Sequence, residues 1–244
     1  MRIELRCREH VGIRWQMLRA SLLWLAALLV GCGSVSGTEG DDDGVSVPHD
    51  GCDPGAPATR TASCVVSFSV GEDAGWGADG FPEIIYGEPR GTGMKAGSLD
   101  VLSLGVGGEI VVGFGGNSIV DAPGPDLIVF ENAFFITGTE VPYAELAEVS
   151  LSEDGESWHT FPCAAAEEPP EGCAGWHPVF ANPDDSVSSF DPEVSGGDAF
   201  DLAELGLASA RLVRIRDLAD GKKIDPGKAG FDLDALAIVH ALVE

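Results

Sequence analysis

Asp121, Asp126, Glu131 and Asn132 place four oxygen-bearing side chains within twelve residues, inside the stretch Gly113 to Phe135. Hard oxygens at that density suit calcium, which takes six to eight ligands from carboxylates, amides and backbone carbonyls. More carboxylates stand at Asp198 and Asp201, flanking a tight turn, and at Asp232 and Asp234. The last two are two residues apart, so on a strand they share a face. A like-charged pair on one face repels unless a cation or hydrogen-bond donors lie between. The candidate calcium ligands are therefore Asp126, Glu131, Asn132, Asp198, Asp201, Asp232 and Asp234. Against this stands a plainer reading. Asp198 and Asp201 can cap a helix, and Asp232 and Asp234 can pair with Arg214, Arg216 or Lys228 or accept from loop amides. Zinc fits less well, because the five His never fall into a ligand spacing.

Other chemistries leave weaker marks. A glycosidase needs two carboxylates in a cleft, and nothing singles out a pair among so many. No G-x-S-x-G is present to mark a nucleophile. Trp76, Trp158 and Trp176 offer flat faces on which a sugar ring can stack. Trp158 sits in a hairpin and is expected in the core. Trp176, in GCAGWHPVF, is the candidate ligand-binding aromatic. Catalytic residues are not assigned.

The elements that must carry these residues are short strands. Val65 to Val70 is rich in β-branched and aromatic residues. Ser98 to Leu104 and Glu109 to Phe114 are expected to form a hairpin through Gly105 to Gly108. Asp126 to Glu131 follows. Leu146 to Glu153 and Glu156 to Phe161 flank an Asp154-Gly155 turn signal. Arg211 to Arg216 is expected to turn Val213 and Ile215 inward. Asp232 to Val243 closes the chain. Asp198 to Leu205 is the one helical hint, with Asp201 as its N-cap. Eight or nine strands without alternating helices indicate an all-β fold, a jelly-roll-like β-sandwich with one short helix.

Composition agrees. The chain has 244 residues, 33 of them Gly and 15 Pro, and a formal net charge of -26. So acidic a surface repels nucleic acid and anionic lipid headgroups. At the N-terminus, Arg14 and Arg19 precede an apolar run of 11 residues, Ala20 to Val30. That is short for a spanning helix, which needs about 20 residues, and right for a signal sequence. Residues 1–31 are read as a signal peptide, with Met17 as an alternative start. They hold five Arg and two Glu, so the remainder carries 9 basic and 38 acidic residues, a net charge of -29. Residues 32–61 read as an acidic Gly/Ser/Pro-rich tether, and residues 62–244 as the β-sandwich domain. Cys52, Cys64, Cys163 and Cys173 form an even set expected to make two disulfides in an exported protein. Of the three possible pairings, Cys52 with Cys64 and Cys163 with Cys173 are favoured, because each closes a short loop. A four-thiolate zinc site lacks any C-x2-C pair.

Three resemblances add to this reading. Leu29-Val30-Gly31-Cys32 resembles the bacterial lipobox, which implies that Cys32 is lipidated and that the membrane is reached through this anchor alone. Gly33 in place of Asp then implies outer-membrane sorting, on the periplasmic face or the cell surface. VSLSEDGESWHTF and ARLVRIRDL resemble strands of galactose-binding-like β-sandwiches, the discoidin and carbohydrate-binding-module group. GPDLIVFENAF, GGDAFDLAELGL and GFDLDALAIV resemble bacterial cell-surface protein domains. The resemblance covers about Gly97 to Val243 and implies a structural calcium and ligand-binding loops at one end of the sandwich. The resulting expectation is a lipid-anchored, calcium-stabilised binding module and not an enzyme. Its ligand would be a glycan or an envelope component. The alternative is a structural envelope protein docking onto a surface complex, with a glycoside hydrolase third.

Overall fold

The computed structural model describes residues 52–139, 142–219 and 229–243. The signal peptide, Cys32 and the first part of the expected tether lie outside the described residues. The strands are β1 (Cys64–Ser69), β2 (Leu102–Ser103), β3 (Glu109–Gly113), β4 (Ile119–Val120), β5 (Leu127–Phe130), β6 (Phe134–Phe135) and β7 (Pro142–Tyr143). They continue with β8 (Ala147–Ser152), β9 (His159–Thr160), β10 (Asp198–Phe200), β11 (Ser209–Ala210), β12 (Leu212–Asp217), β13 (Asp232–Leu233) and β14 (Ala235–Ile238). A five-stranded antiparallel sheet runs in the order β1-β3-β12-β8-β9, and a three-stranded sheet in the order β10-β5-β14. The fold is an all-β sandwich, as the strand pattern indicates.

Burial explains the layering. Val112, Val149, Leu151, Val213 and Ile215 turn one face of the large sheet into the core, where they meet Leu127, Val129, Leu236 and Ile238. The alternate residues Ile128, Phe130, Ala235 and Ala237 face the other way, into a second apolar cluster with Val179. The small sheet is thus buried on both sides, which is why β5 reads as the unbroken apolar run LIVF. On the large sheet Val213 and Ile215 point inward as expected, with Arg214 and Arg216 outside. In β1, Val65 and Phe68 are both buried although three residues apart. A register shift between Val65 and Ser67 supplies the extra residue.

Several expectations change. The hairpin of Ser98–Leu104 with Glu109–Phe114 does not form: β2 pairs with β13, while β3 pairs with β1 and β12. The Gly105 turn, with φ of 78°, passes the chain from one sheet to the other and packs backbone to backbone on Gly71. Asp198 to Phe200 is strand, and only Leu202–Leu205 coils, as a 3-10 turn. Asp201 does cap it, accepting from the Ala203 N–H. The closing strand breaks at Asp234 into β13 and β14. Residues 52–61, expected to be tether, belong to the domain. Thr59 N–H donates to Phe114 O, Ile238 N–H donates to Arg60 O, and the Arg60 guanidinium donates to the carbonyls of Ile238 and Val239. The two disulfides are Cys52–Cys64 and Cys163–Cys173, the local pairing. Trp158 is half-buried on the outside of the large sheet, with the Arg214 guanidinium 4.5 Å over its ring, and not in the core. It precedes the exposed edge strand β9, where there is no second layer to cover it.

Candidate functional site

Where β5 ends, the chain leaves the sheet and carries Glu131 and Asn132 into the interior. The pairing of β6 with β7 brings it back, so that Glu145 arrives just before β8. Strand β13 adds Asp232, and Asn132 Nδ2 donates to Asp232 Oδ2 at 3.4 Å. Glu131 and Glu145 are each only 2% exposed. A buried carboxylate such as that of Glu131 is costly unless paired or bound to a metal. Glu131 Oε2 and Asn132 Oδ1 are both buried with no hydrogen-bond partner among the described residues. Burial pushes the Glu131 carboxyl well above its ordinary range, and Asp232, Glu145 and Asp198 push it further. Against them stands only a hydrogen bond from the Asn132 backbone N–H. A narrow crevice too tight for a water molecule adjoins Glu131 and Asn132 and is lined on its other side by Gly91, Gly93 and Gly97.

Two unsatisfied buried oxygens beside this crevice, with Asp232 and Glu145 near enough to add their charge to Glu131, are the kind of donors a hard divalent cation takes. The donor set is all oxygen, which suits calcium rather than zinc.

The other expected ligands lie elsewhere. Asp126 and Glu131 sit at opposite ends of β5, roughly 16 Å apart along an extended strand, so one ion does not reach both. Asp126 is fully buried. Its carboxylate accepts from Ala122 N–H at 3.0 Å, Leu202 N–H at 2.8 Å and His240 Nδ1 at 2.7 Å. Asp121 and Asp201 offer carboxylate oxygens within 4.8 Å of it. Asp198 lies at the margin of the Glu131 group but accepts from Gly175 N–H, Trp176 N–H and His177 Nδ1. That bond raises the His177 pKa. Asp232 and Asp234 do not act together, because the strand breaks between them.

Both oxygens of Asp234 accept from the Arg90 backbone N–H at 3.1 Å. Burial raises its carboxyl from an ordinary 3.8 to about 7, with Asp100 adding to the shift. A carboxyl raised on folding stabilises fully below its unfolded value and loses that contribution as pH rises through the folded one. Asp234→Asn is therefore expected to gain stability relative to the parent between pH 4 and 7.5, by at most roughly 4 kcal/mol. Thermal unfolding in EDTA across that range checks it; a difference constant with pH would refute it.

Glu145 was not legible in the sequence. It sits between Ala144 and Leu146 in an ordinary-looking AEL run, and its burial among apolar neighbours is visible only in the fold. Trp176 is half-buried in the wall of a surface cleft with Leu146, Glu167, Glu168, Pro170 and Leu218. The Cys163–Cys173 disulfide staples the loop that forms the opposite wall.

No protein-family model matches the chain, and no curated protein matches it. Among solved structures it is similar to the C-terminal domain of a chitobiase from Bacteroides fragilis, at 14% identity and a TM-score of 0.26. The likeness covers 54% of this chain and 61% of that one, so the chain spans less than two thirds of the domain it matches.

Proposed function

We propose that the chain is a lipid-anchored cell-surface binding module of the galactose-binding-like kind, organised by a calcium ion and not an enzyme. Cys32 carries the anchor. Glu131, Asn132, Glu145 and Asp232 hold the ion, which neutralises carboxylates that otherwise repel one another in the interior. A glycan or other envelope component binds in the cleft beside Trp176. The observation that carries the reading is the buried Glu131 oxygen without a partner, at the centre of a group of acids. Asp198 supports joining the two sites. It adds to the field on Glu131, and its carboxylate fixes the backbone of Gly175 and Trp176. An ion that neutralises the acidic group therefore acts beside the carboxylate that positions Trp176.

The cleft mixes an aromatic face with the carboxylates of Glu167 and Glu168, a combination suited to neutral sugars. The ring stacks on a pyranose CH face, and the acids accept from hydroxyls. The expected result on a panel of neutral oligosaccharides is saturable binding. It should weaken at least tenfold in Trp176→Ala and at least fivefold in EDTA. Binding that survives Trp176→Ala unchanged would remove the cleft from the proposal. No binding to any glycan would favour docking onto an envelope complex instead.

A further inference from the structure

We propose that the segment from Gly91 to Ser98 is a strap that closes over the cation and is held shut by it, with Gly97 as the residue that lets Asn132 into the coordination sphere. This rests on the cation reading above and adds the element that controls access to the ion. The two sides of the crevice beside Glu131 differ in kind. One is built on the sheet: Glu131, Asn132 and Ala133 directly follow β5. The other is loop, with a single 3-10 turn at Gly93–Lys95.

The strap is tied firmly at its start. Arg90 N–H donates to Asp234, Gly91 N–H to Ala181 O at 3.0 Å, and Gly93 N–H to Val179 O at 2.9 Å. Asn182 Nδ2 donates to Gly91 O at 3.0 Å. Beyond Gly93 the strap lies beside β6, and its hydrogen bonds become local. Among the described residues no backbone hydrogen bond joins Met94 to Gly97 back to a sheet. The Thr92 hydroxyl bonds Ala96 O within the strap itself. Met94, at the tip, is 50% exposed. A segment with few ties and solvated backbone opens at low free-energy cost, and an ion beneath it is what would hold it closed.

Gly97 shows how close that closure is. A Cβ added there falls 2.1 Å from Asn132 Oδ1 and 2.7 Å from its Cγ. Its backbone does not lie in the left-handed region, so glycine is needed for the approach and not for the conformation. An alanine would displace the mobile end of Asn132 and leave the strap's fold in place. The displaced group is the amide whose oxygen is buried without a partner. Binding through one or two oxygens each, the three carboxylates together with the amide supply about four to seven of calcium's six to eight oxygens, which leaves room for carbonyls of the strap.

Lys95 makes the strap testable. It is cut by a lysine-specific endoprotease, and Lys222, Lys223 and Lys228 provide reference cuts in the same digest. Calcium binding is followed in parallel by calorimetry. Calcium is expected to lower the rate at Lys95 at least tenfold relative to the reference cuts. General stabilisation would slow all of them together. Gly97→Ala is expected to keep the metal-free unfolding midpoint while binding calcium at least tenfold more weakly. Should that variant unfold, Glu131→Gln serves in its place, since it leaves the strap intact and must abolish the calcium effect at Lys95. Calorimetric binding with no change at Lys95 would overturn the strap and leave the cation site standing. Absence of binding would overturn both, and wild-type affinity in Gly97→Ala would overturn the role of Gly97.

Discussion

Replacing Glu131 by Gln is expected to act in opposite directions with and without calcium. In EDTA near pH 7, the parent must either hold a proton on Glu131 or bury its charge beside Asp232 and Glu145, as the raised pKa indicates. Gln keeps the size and removes that cost, so the metal-free variant should unfold at the same temperature or higher. In calcium, the parent gains by mass action. An ion present at 100 times its Kd adds about 2.7 kcal/mol. For a domain of this size each kcal/mol moves the midpoint by roughly 2–4 °C, so the parent should rise by roughly 5–10 °C. The variant should rise hardly at all, because the ligand whose oxygen lacks a partner has gone. Magnesium, which demands tighter octahedral geometry and keeps its waters, should give a smaller shift in the parent. Thermal scans of both proteins in calcium, magnesium and EDTA settle the matter. A Glu131→Gln variant destabilised equally in calcium and EDTA would mean that Glu131 is held by a protein partner, and the cation site would be withdrawn.

What could be seen beforehand follows from which signals are local. The runs LIVF in β5 and LVRIR in β12 state their burial directly, the first by unbroken apolarity and the second by alternation. The Asp154-Gly155 turn and the strands on either side of it pair as the sequence indicates. Sheet partners were not legible where a turn changes direction out of plane. Gly105 to Gly108 looks like any hairpin turn, and only its packing on Gly71 shows that it joins two sheets. The bulge in β1 leaves no mark beyond two inward residues at the wrong spacing. The proposed cation site was half legible for the same reason. Glu131 and Asn132 are neighbours, and Asp232 stands out beside an apolar run. Glu145 reaches them only through the β6–β7 pairing, which no spacing encodes. Asp126 carried the same signal as Glu131, an acid at the edge of an apolar strand. The fold gives it three donors and, among the described residues, gives Glu131 Oε2 none.

That contrast sets the second large effect. Asp126→Ala is expected to destabilise the domain by roughly 3–5 kcal/mol, whether or not calcium is present. The carboxylate is fully buried and serves three donors from three segments: the Ala122 N–H, the Leu202 N–H that opens the 3-10 turn, and His240 Nδ1 beyond β14. Removing it leaves those donors without their acceptor, and each unsatisfied buried group costs about 1–3 kcal/mol. The midpoint should fall by roughly 6–20 °C. Asp126→Asn should cost less. Its carbonyl oxygen can still serve Ala122 and His240, which share Oδ1, while its amide is turned against the Leu202 N–H. The ordering Ala below Asn below the parent, with the same gaps in calcium and in EDTA, is the signature of a carboxylate that joins chain segments by hydrogen bonds. If the gaps instead close in EDTA, Asp126 belongs to an ion site together with Asp121 and Asp201. The two ends of β5 would then carry the same chemistry, with the Asp126 Oδ2 lone pair left by its single donor, the Leu202 N–H, turned to the ion.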